Sequence, residues 1–69
     1  MNTNELKEIF DKHGWYNDYE IETKKGFYSC RLTGKEDLES DILVEMLEDG
    51  MPFSFPVENI VAVKPLSVT

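Results

Sequence analysis

Asp41-Ile42-Leu43-Val44-Glu45-Met46-Leu47-Glu48-Asp49-Gly50-Met51-Pro52-Phe53-Ser54-Phe55-Pro56-Val57 is the stretch on which the fold turns. Apolar residues alternate on both sides of Asp49-Gly50. That dipeptide favours a two-residue hairpin, because a type I′ turn needs positive φ at both of its central positions. With the turn placed there, Ile42 faces Val57, Val44 faces Phe55 and Met46 faces Phe53, which makes one continuous apolar face. The opposite face pairs Leu43 with Pro56, Glu45 with Ser54 and Leu47 with Pro52. Both prolines then fall on non-hydrogen-bonded pairs, where a missing N–H costs the hairpin nothing. They mark the outer side of residues 51–56 as a poorly pairing edge. A slip of one residue would invert the apolar face and set both prolines on bonding positions.

Upstream, the period-two pattern continues. Tyr19, Ile21 and Thr23 alternate with charged residues, and residues 27–33 can return beside them. A turn at Lys25-Gly26 sets Tyr19 opposite Leu32, Ile21 opposite Cys30 and Thr23 opposite Tyr28. Glu20 then opposes Arg31 on the other face, a favourable cross-strand charge pair. Before residue 14 the period is helical. Leu6, Ile9, Phe10 and His13 form one stripe, Asn2 and Glu5 have capping-box spacing, and Gly14 is a natural stop. A helix this short is barely stable alone, so its stripe must dock on something. Downstream, residues 57–59 read as a short turn and 60–64 as a final strand closed by Pro65. The expected organisation is a single domain over residues 1–69, with a helix at 3–13 and strands at 18–24, 27–33, 41–48, 51–56 and 60–64. The class is mainly β with one N-terminal helix (α+β). A chain of this length buries only about 60% of its extended surface, so its stability is marginal.

Charge is the second strong signal. The chain carries fourteen acidic residues against seven Lys and Arg, for a formal charge of −7. Seven of the acids, Glu36, Asp37, Glu39, Asp41, Glu45, Glu48 and Asp49, lie in residues 36 to 49, where there is no Lys or Arg. Such a block repels nucleic acid and attracts basic partners. Direct phosphate-backbone binding is therefore not expected, since it depends on Lys and Arg releasing counterions. Lys24, Lys25, Arg31 and Lys35 are scattered enough to be a solvated hairpin tip or, at most, a minor basic edge. The alternation of Ile42, Val44 and Met46 puts the second half of the acidic block on a core strand. Its charges then divide between a loop at residues 36–41 and the hairpin.

A helix, a bent four-stranded meander, a short turn and a fifth strand over about residues 3 to 64 resemble the small barrels of the SH3-like and Sm-like type. That resemblance implies a five-stranded antiparallel barrel. The Sm pattern itself is missing: Lys35-Glu36-Asp37-Leu38-Glu39-Ser40-Asp41 stands where that family has an Asp and a Met-Asn pair, and Val63-Lys64 where it has Arg-Gly. Its RNA-contact roles are not carried over, and Pro52 and Pro56 oppose its edge-paired ring. The expected state is a monomer or small homo-oligomer. Separately, Glu39-Ser40-Asp41-Ile42-Leu43-Val44 resembles a segment of the phage uracil-DNA glycosylase inhibitors, which are acidic DNA mimics, although the second helix of that pattern is absent.

The residues offer little chemistry. Asp37, Glu39, Asp41, Glu45 and Glu48 match EF-hand spacing, but Ile42 stands where that loop requires Gly, so no metal is expected. His13 on the helix stripe and Cys30 on an inward strand position read as packed residues rather than as a dyad. The glycines are isolated, so there is no phosphate loop and no cofactor is expected. Tyr19 and Tyr28 are assigned to the core. Trp15, Tyr16 and Phe27 are less committed, and Phe27 falls on the polar face of its hairpin. A single cysteine suits a reducing compartment, and no apolar run reaches signal-peptide or membrane-span length. Together these features imply a cytoplasmic protein of a bacterium or a phage-infected host.

The functional expectation is a non-enzymatic interaction domain that binds a basic protein surface. Its contact residues would be Glu36, Asp37, Glu39, Asp41, Leu43, Glu45, Leu47, Glu48 and Asp49. Alternatives are a DNA-mimic inhibitor of a nucleic-acid enzyme and an RNA- or DNA-binding small barrel. Leu43, Leu47, Pro52 and Pro56 are free to bind only if the helix does not dock on them.

Overall fold

A computed structural model describes residues 1–33 and 40–66. Helix α1 (Thr3–His13) precedes strands β1 (Asp18–Thr23), β2 (Gly26–Leu32), β3 (Asp41–Met46) and β4 (Pro52–Pro56). A 3-10 turn, Val57–Asn59, then leads into β5 (Ile60–Pro65). The antiparallel sheet has the order β4-β3-β2-β1-β5. Among the described residues no ladder joins β4 to β5, so the sheet is open rather than a closed barrel.

Both hairpins keep the expected faces but shift their partners by two residues. In the first, Tyr19 pairs with Cys30, Ile21 with Tyr28 and Thr23 with Gly26, which moves the turn from Lys25-Gly26 to Lys24-Lys25. Both lysines keep negative φ, and Gly26, at φ 148°, absorbs the backbone mismatch. Thr23 holds this turn: its Oγ1 accepts from the Lys25 N–H at 3.1 Å and donates to the Gly26 carbonyl at 3.3 Å. Arg31 consequently faces Asp18 rather than Glu20, with Nε donating to Oδ1 at 2.9 Å.

In the second hairpin Ile42 pairs with Phe55, Val44 with Phe53 and Glu45 with Pro52. Asp49 does not take the positive φ that a type I′ turn would demand, and only Gly50 does, at 72°. Asp49 instead accepts from the Met51 N–H through Oδ1 at 2.9 Å. The result is a four-residue loop, residues 47–50, closed by Met46 N–H to Met51 O at 2.9 Å and Gly50 N–H to Met46 O at 2.8 Å. β3 therefore stops at Met46, and Leu47 and Glu48 belong to the loop. A two-residue shift leaves side-chain parity and bonding parity untouched. Pro52 and Pro56 still occupy non-bonded pairs, so among Pro52, Ser54 and Pro56 only Ser54 has an N–H to turn outward from the β4 edge.

The interior holds Tyr19, Ile21, Cys30, Leu32, Ile42, Val44, Phe55, Val57 and Ile60. Leu6 and Phe10 of α1 enter it with no exposed surface. Burying two such side chains contributes on the order of 1.5–3 kcal/mol each. The helix starts with the expected capping box, in which Asn2 Oδ1 accepts from Glu5 N–H and Glu5 Oε1 from Asn2 N–H. It stops at Gly14, φ 114°, whose N–H reaches the Phe10 carbonyl at 2.8 Å. α1 packs chiefly on β5. The N-terminal ammonium donates to the Ile60 carbonyl, and Tyr19 Oη donates to the Gly14 carbonyl at 2.6 Å. His13 is exposed and not part of the buried stripe. Past Gly14 the chain reverses, and Trp15 packs edge-on against Phe10 at 5.2 Å, covering that side of the ring in its place.

The sheet curls strongly. Tyr28 on β2 and Phe55 on β4 have ring centroids 5.2 Å apart although β3 lies between their strands in the ladder. Inner-face side chains meet across the interior, where hydrogen bonds do not close the sheet.

Two outcomes follow. Phe10→Ala should lower stability by about 3–5 kcal/mol in urea unfolding, while His13→Ala changes it by less than about 0.5 kcal/mol. A Pro52→Thr/Pro56→Thr variant regains two outward N–H groups on β4. It should self-associate at concentrations where the parent chain does so less, as read by sedimentation velocity.

Candidate functional site

β3 carries its side chains in strict alternation. Ile42 and Val44 are buried, whereas Asp41, Leu43 and Glu45 are exposed. Leu43 keeps 48% of its surface and Leu47 keeps 39%. Helix α1 does not cover them, because it is spent on β5 and the interior. Across the ladder Leu43 faces Ser54, with Asp41 opposite Pro56 and Glu45 opposite Pro52, and all of these are exposed. Glu48 and Asp49 project from the adjoining loop. The outer face of this hairpin is thus an apolar strip of Leu43, Leu47, Pro52 and Pro56 bordered by carboxylates. Asp41, Leu43, Glu45, Leu47, Glu48 and Asp49 come together there. Glu36, Asp37 and Glu39, also expected to contribute, lie outside the described residues.

One neighbour moderates the charge. Arg31 on β2 stands opposite Glu45 and is ion-paired with Asp18. The Asp18 carboxylate, first by hydrogen bond and then by charge, raises the Arg31 pKa, and Glu45 adds to it. Glu45 is thereby partly balanced, and the acidic end of the face shifts toward Asp41 on one side and Glu48-Asp49 on the other.

The scattered bases do not form one edge. Arg31 is on the outer face, Lys24 and Lys25 are at the β1–β2 turn, and Lys35 lies outside the described residues. The aromatic residues also separate. Tyr19 is buried and Tyr28 half-buried, Trp15 lies against Phe10, and Tyr16 and Phe27 stand 80% and 66% exposed. No local pattern announces the aromatic step Tyr28–Phe55–Phe53, in which Phe53 packs on Phe55 at 4.8 Å and remains 46% exposed. With Thr23, Lys24, Lys25, Ser54, Pro56 and Asn59 it lines a hollow of about 230 Å³.

Cys30 is buried, and desolvation pushes its thiol up to about 11. Burial likewise raises the Tyr19 phenol, with the Asn17 hydrogen bond opposing it. Among the described residues no group of three His, Cys, Asp or Glu is placed to hold a metal ion, and no helix is long and apolar enough to cross a membrane. No protein-family model matches the chain, and no curated protein or solved structure shows significant similarity to it.

The Cys30 environment has a pH consequence. The folded thiol stays protonated while the unfolded one ionises near 9, so stability is retained below pH 9 and falls as pH rises toward 11. Urea midpoints should fall across that window, and less steeply in Cys30→Ala. Native protein at pH 8 should react with a thiol reagent only at the rate of its unfolding.

Proposed function

We propose that this chain is a small non-enzymatic protein-interaction domain whose partner presents a basic surface. The observation that carries this reading is the outer face of the β3–β4 hairpin, where Leu43 and Leu47 are exposed between Asp41, Glu45, Glu48 and Asp49. An apolar centre with a charged rim has the anatomy of a protein-binding patch. The carboxylates steer a cationic partner and fix its register, while desolvation of the leucines and prolines supplies affinity. In sequence, Glu36, Asp37 and Glu39 extend the same acidic border. The non-enzymatic part of the reading is supported by the burial of Cys30 and by the place of His13 on the exposed end of α1.

As to class, the order β4-β3-β2-β1-β5, an N-terminal helix and a 3-10 turn before β5 support a small domain of the SH3-like or Sm-like type. An Sm-type ring is not part of the proposal. Such a ring pairs β4 of one copy with β5 of the next, and two prolines thin the donors on that edge of β4.

The test compares three proteins in quantitative capture of the host partner: the parent, Asp41→Lys/Glu48→Lys/Asp49→Lys and Leu43→Ser/Leu47→Ser. Each variant should lose on the order of tenfold or more in affinity, with the charge variant losing mainly association rate. Unchanged capture by both would remove this face from the mechanism. Micromolar oligonucleotide binding that weakens steeply with salt would replace the reading with a nucleic-acid one.

A further inference from the structure

The hollow beside the β1–β2 turn opens at the β4 margin, where Ser54 and Pro56 also border the acidic outer face, and its chemistry is of the opposite sign. Its floor is the aromatic step Tyr28–Phe55–Phe53. Its rim carries Lys24 and Lys25, which make no ion pair; among the described residues Arg31–Asp18 is the ion pair present. The turn that bears the lysines is fixed from both sides. The Lys24 N–H donates to the Asn59 carbonyl at 3.1 Å, and the Lys25 N–H to Thr23 Oγ1 at 3.1 Å. Two lysines on a pinned turn thus border an apolar recess in a chain whose formal charge is −7.

We infer that this hollow binds an acidic peptide segment, seating one apolar side chain on Phe53 and Tyr28 and placing its flanking carboxylates against Lys24 and Lys25. Three observations select that occupant. At about 230 Å³ the recess accepts a single side chain and is smaller than the sites of about 300–1,000 Å³ that enclose whole ligands. Charge complementarity demands an anion, but a nucleic-acid strand carries a charge at every nucleotide and is repelled by the acidic remainder of the molecule. A peptide with two carboxylates meets the lysines locally and adds little long-range repulsion. Addition of a strand to β4 is disfavoured, since Pro52 and Pro56 leave only Ser54 with an outward N–H. The segment is therefore held by side chains rather than by a backbone ladder. This surface adjoins the one that carries the proposed function at Ser54 and Pro56 but uses neither its leucines nor its carboxylates.

Titration of the uniformly ¹⁵N-labelled chain with Ac-Asp-Phe-Asp-NH2, followed by amide chemical shifts, tests the inference. Shifts are expected at residues 23–28 and 53–56 and not along β3. Ac-Asp-Ala-Asp-NH2 and Ac-Lys-Phe-Lys-NH2 should each bind on the order of tenfold more weakly. Lys24→Gln/Lys25→Gln, which alters only exposed side chains, should weaken the acidic peptide by a similar factor, and Phe53→Ala should do so with the rest of the spectrum unchanged. The inference is overturned if no localised shifts occur, if the Lys-Phe-Lys peptide binds as well, or if the lysine variant binds undiminished. Tighter binding of oligothymidylate would assign the hollow to nucleic acid, and the same shifts on raising protein concentration alone would assign it to a second copy; either overturns the peptide reading.

Discussion

Contact between Phe55 and Tyr28 is the constraint on which the rest of the molecule depends. Their strands are separated by β3 in the ladder, so the rings can meet only if the sheet folds over on itself. Once they meet, every strand has an inside and an outside. The strands alone do not fill the inside, and Leu6 and Phe10 of α1 complete it. The helix is thereby committed to the interior and to β5, and the outer face of β3–β4 is left to solvent. At the margin of the same curl, where side chains rather than hydrogen bonds bridge the gap, the hollow beside Lys24 and Lys25 opens.

The resulting molecule is electrostatically two-sided. Carboxylates border an apolar strip on the convex side, and two lysines with no ion pair among the described residues border an aromatic recess at the β4 margin. Arg31 sits between these regimes and belongs to neither, since Asp18 and Glu45 already engage it. The charge that matters for both proposed contacts is therefore local. A net value of −7 describes solubility and long-range repulsion, while recognition depends on where individual charges flank apolar surface.

Side-chain parity was legible in the sequence and strand phase was not. Alternation has period two, so a shift of two residues, as in Ile42 pairing with Phe55 rather than Val57, leaves every face unchanged. The prolines could exclude a one-residue slip but are indifferent to a two-residue one. Asp49-Gly50 pointed to a tight turn, but Asp49 satisfied its side chain on the Met51 N–H and kept negative φ, which lengthened the loop. Of the proposed binding face, Asp41, Leu43, Glu45, Leu47, Glu48 and Asp49 could be grouped in advance. Whether α1 would cover them could not, because a helical stripe names what is buried and not what it is buried against. The hollow was illegible for a related reason: Tyr28 and Phe55 become neighbours only through curl, which no local pattern encodes.

Solvent paramagnetic relaxation of side-chain methyl protons, with a dissolved gadolinium chelate, tests the division between inside and outside most directly. Leu43 and Leu47 should relax strongly, while Leu6, Ile42 and Val44 stay protected. If Leu43 and Leu47 were as protected as Leu6, the helix or another element would cover the outer face, and the account of both the fold and its binding surface would be wrong.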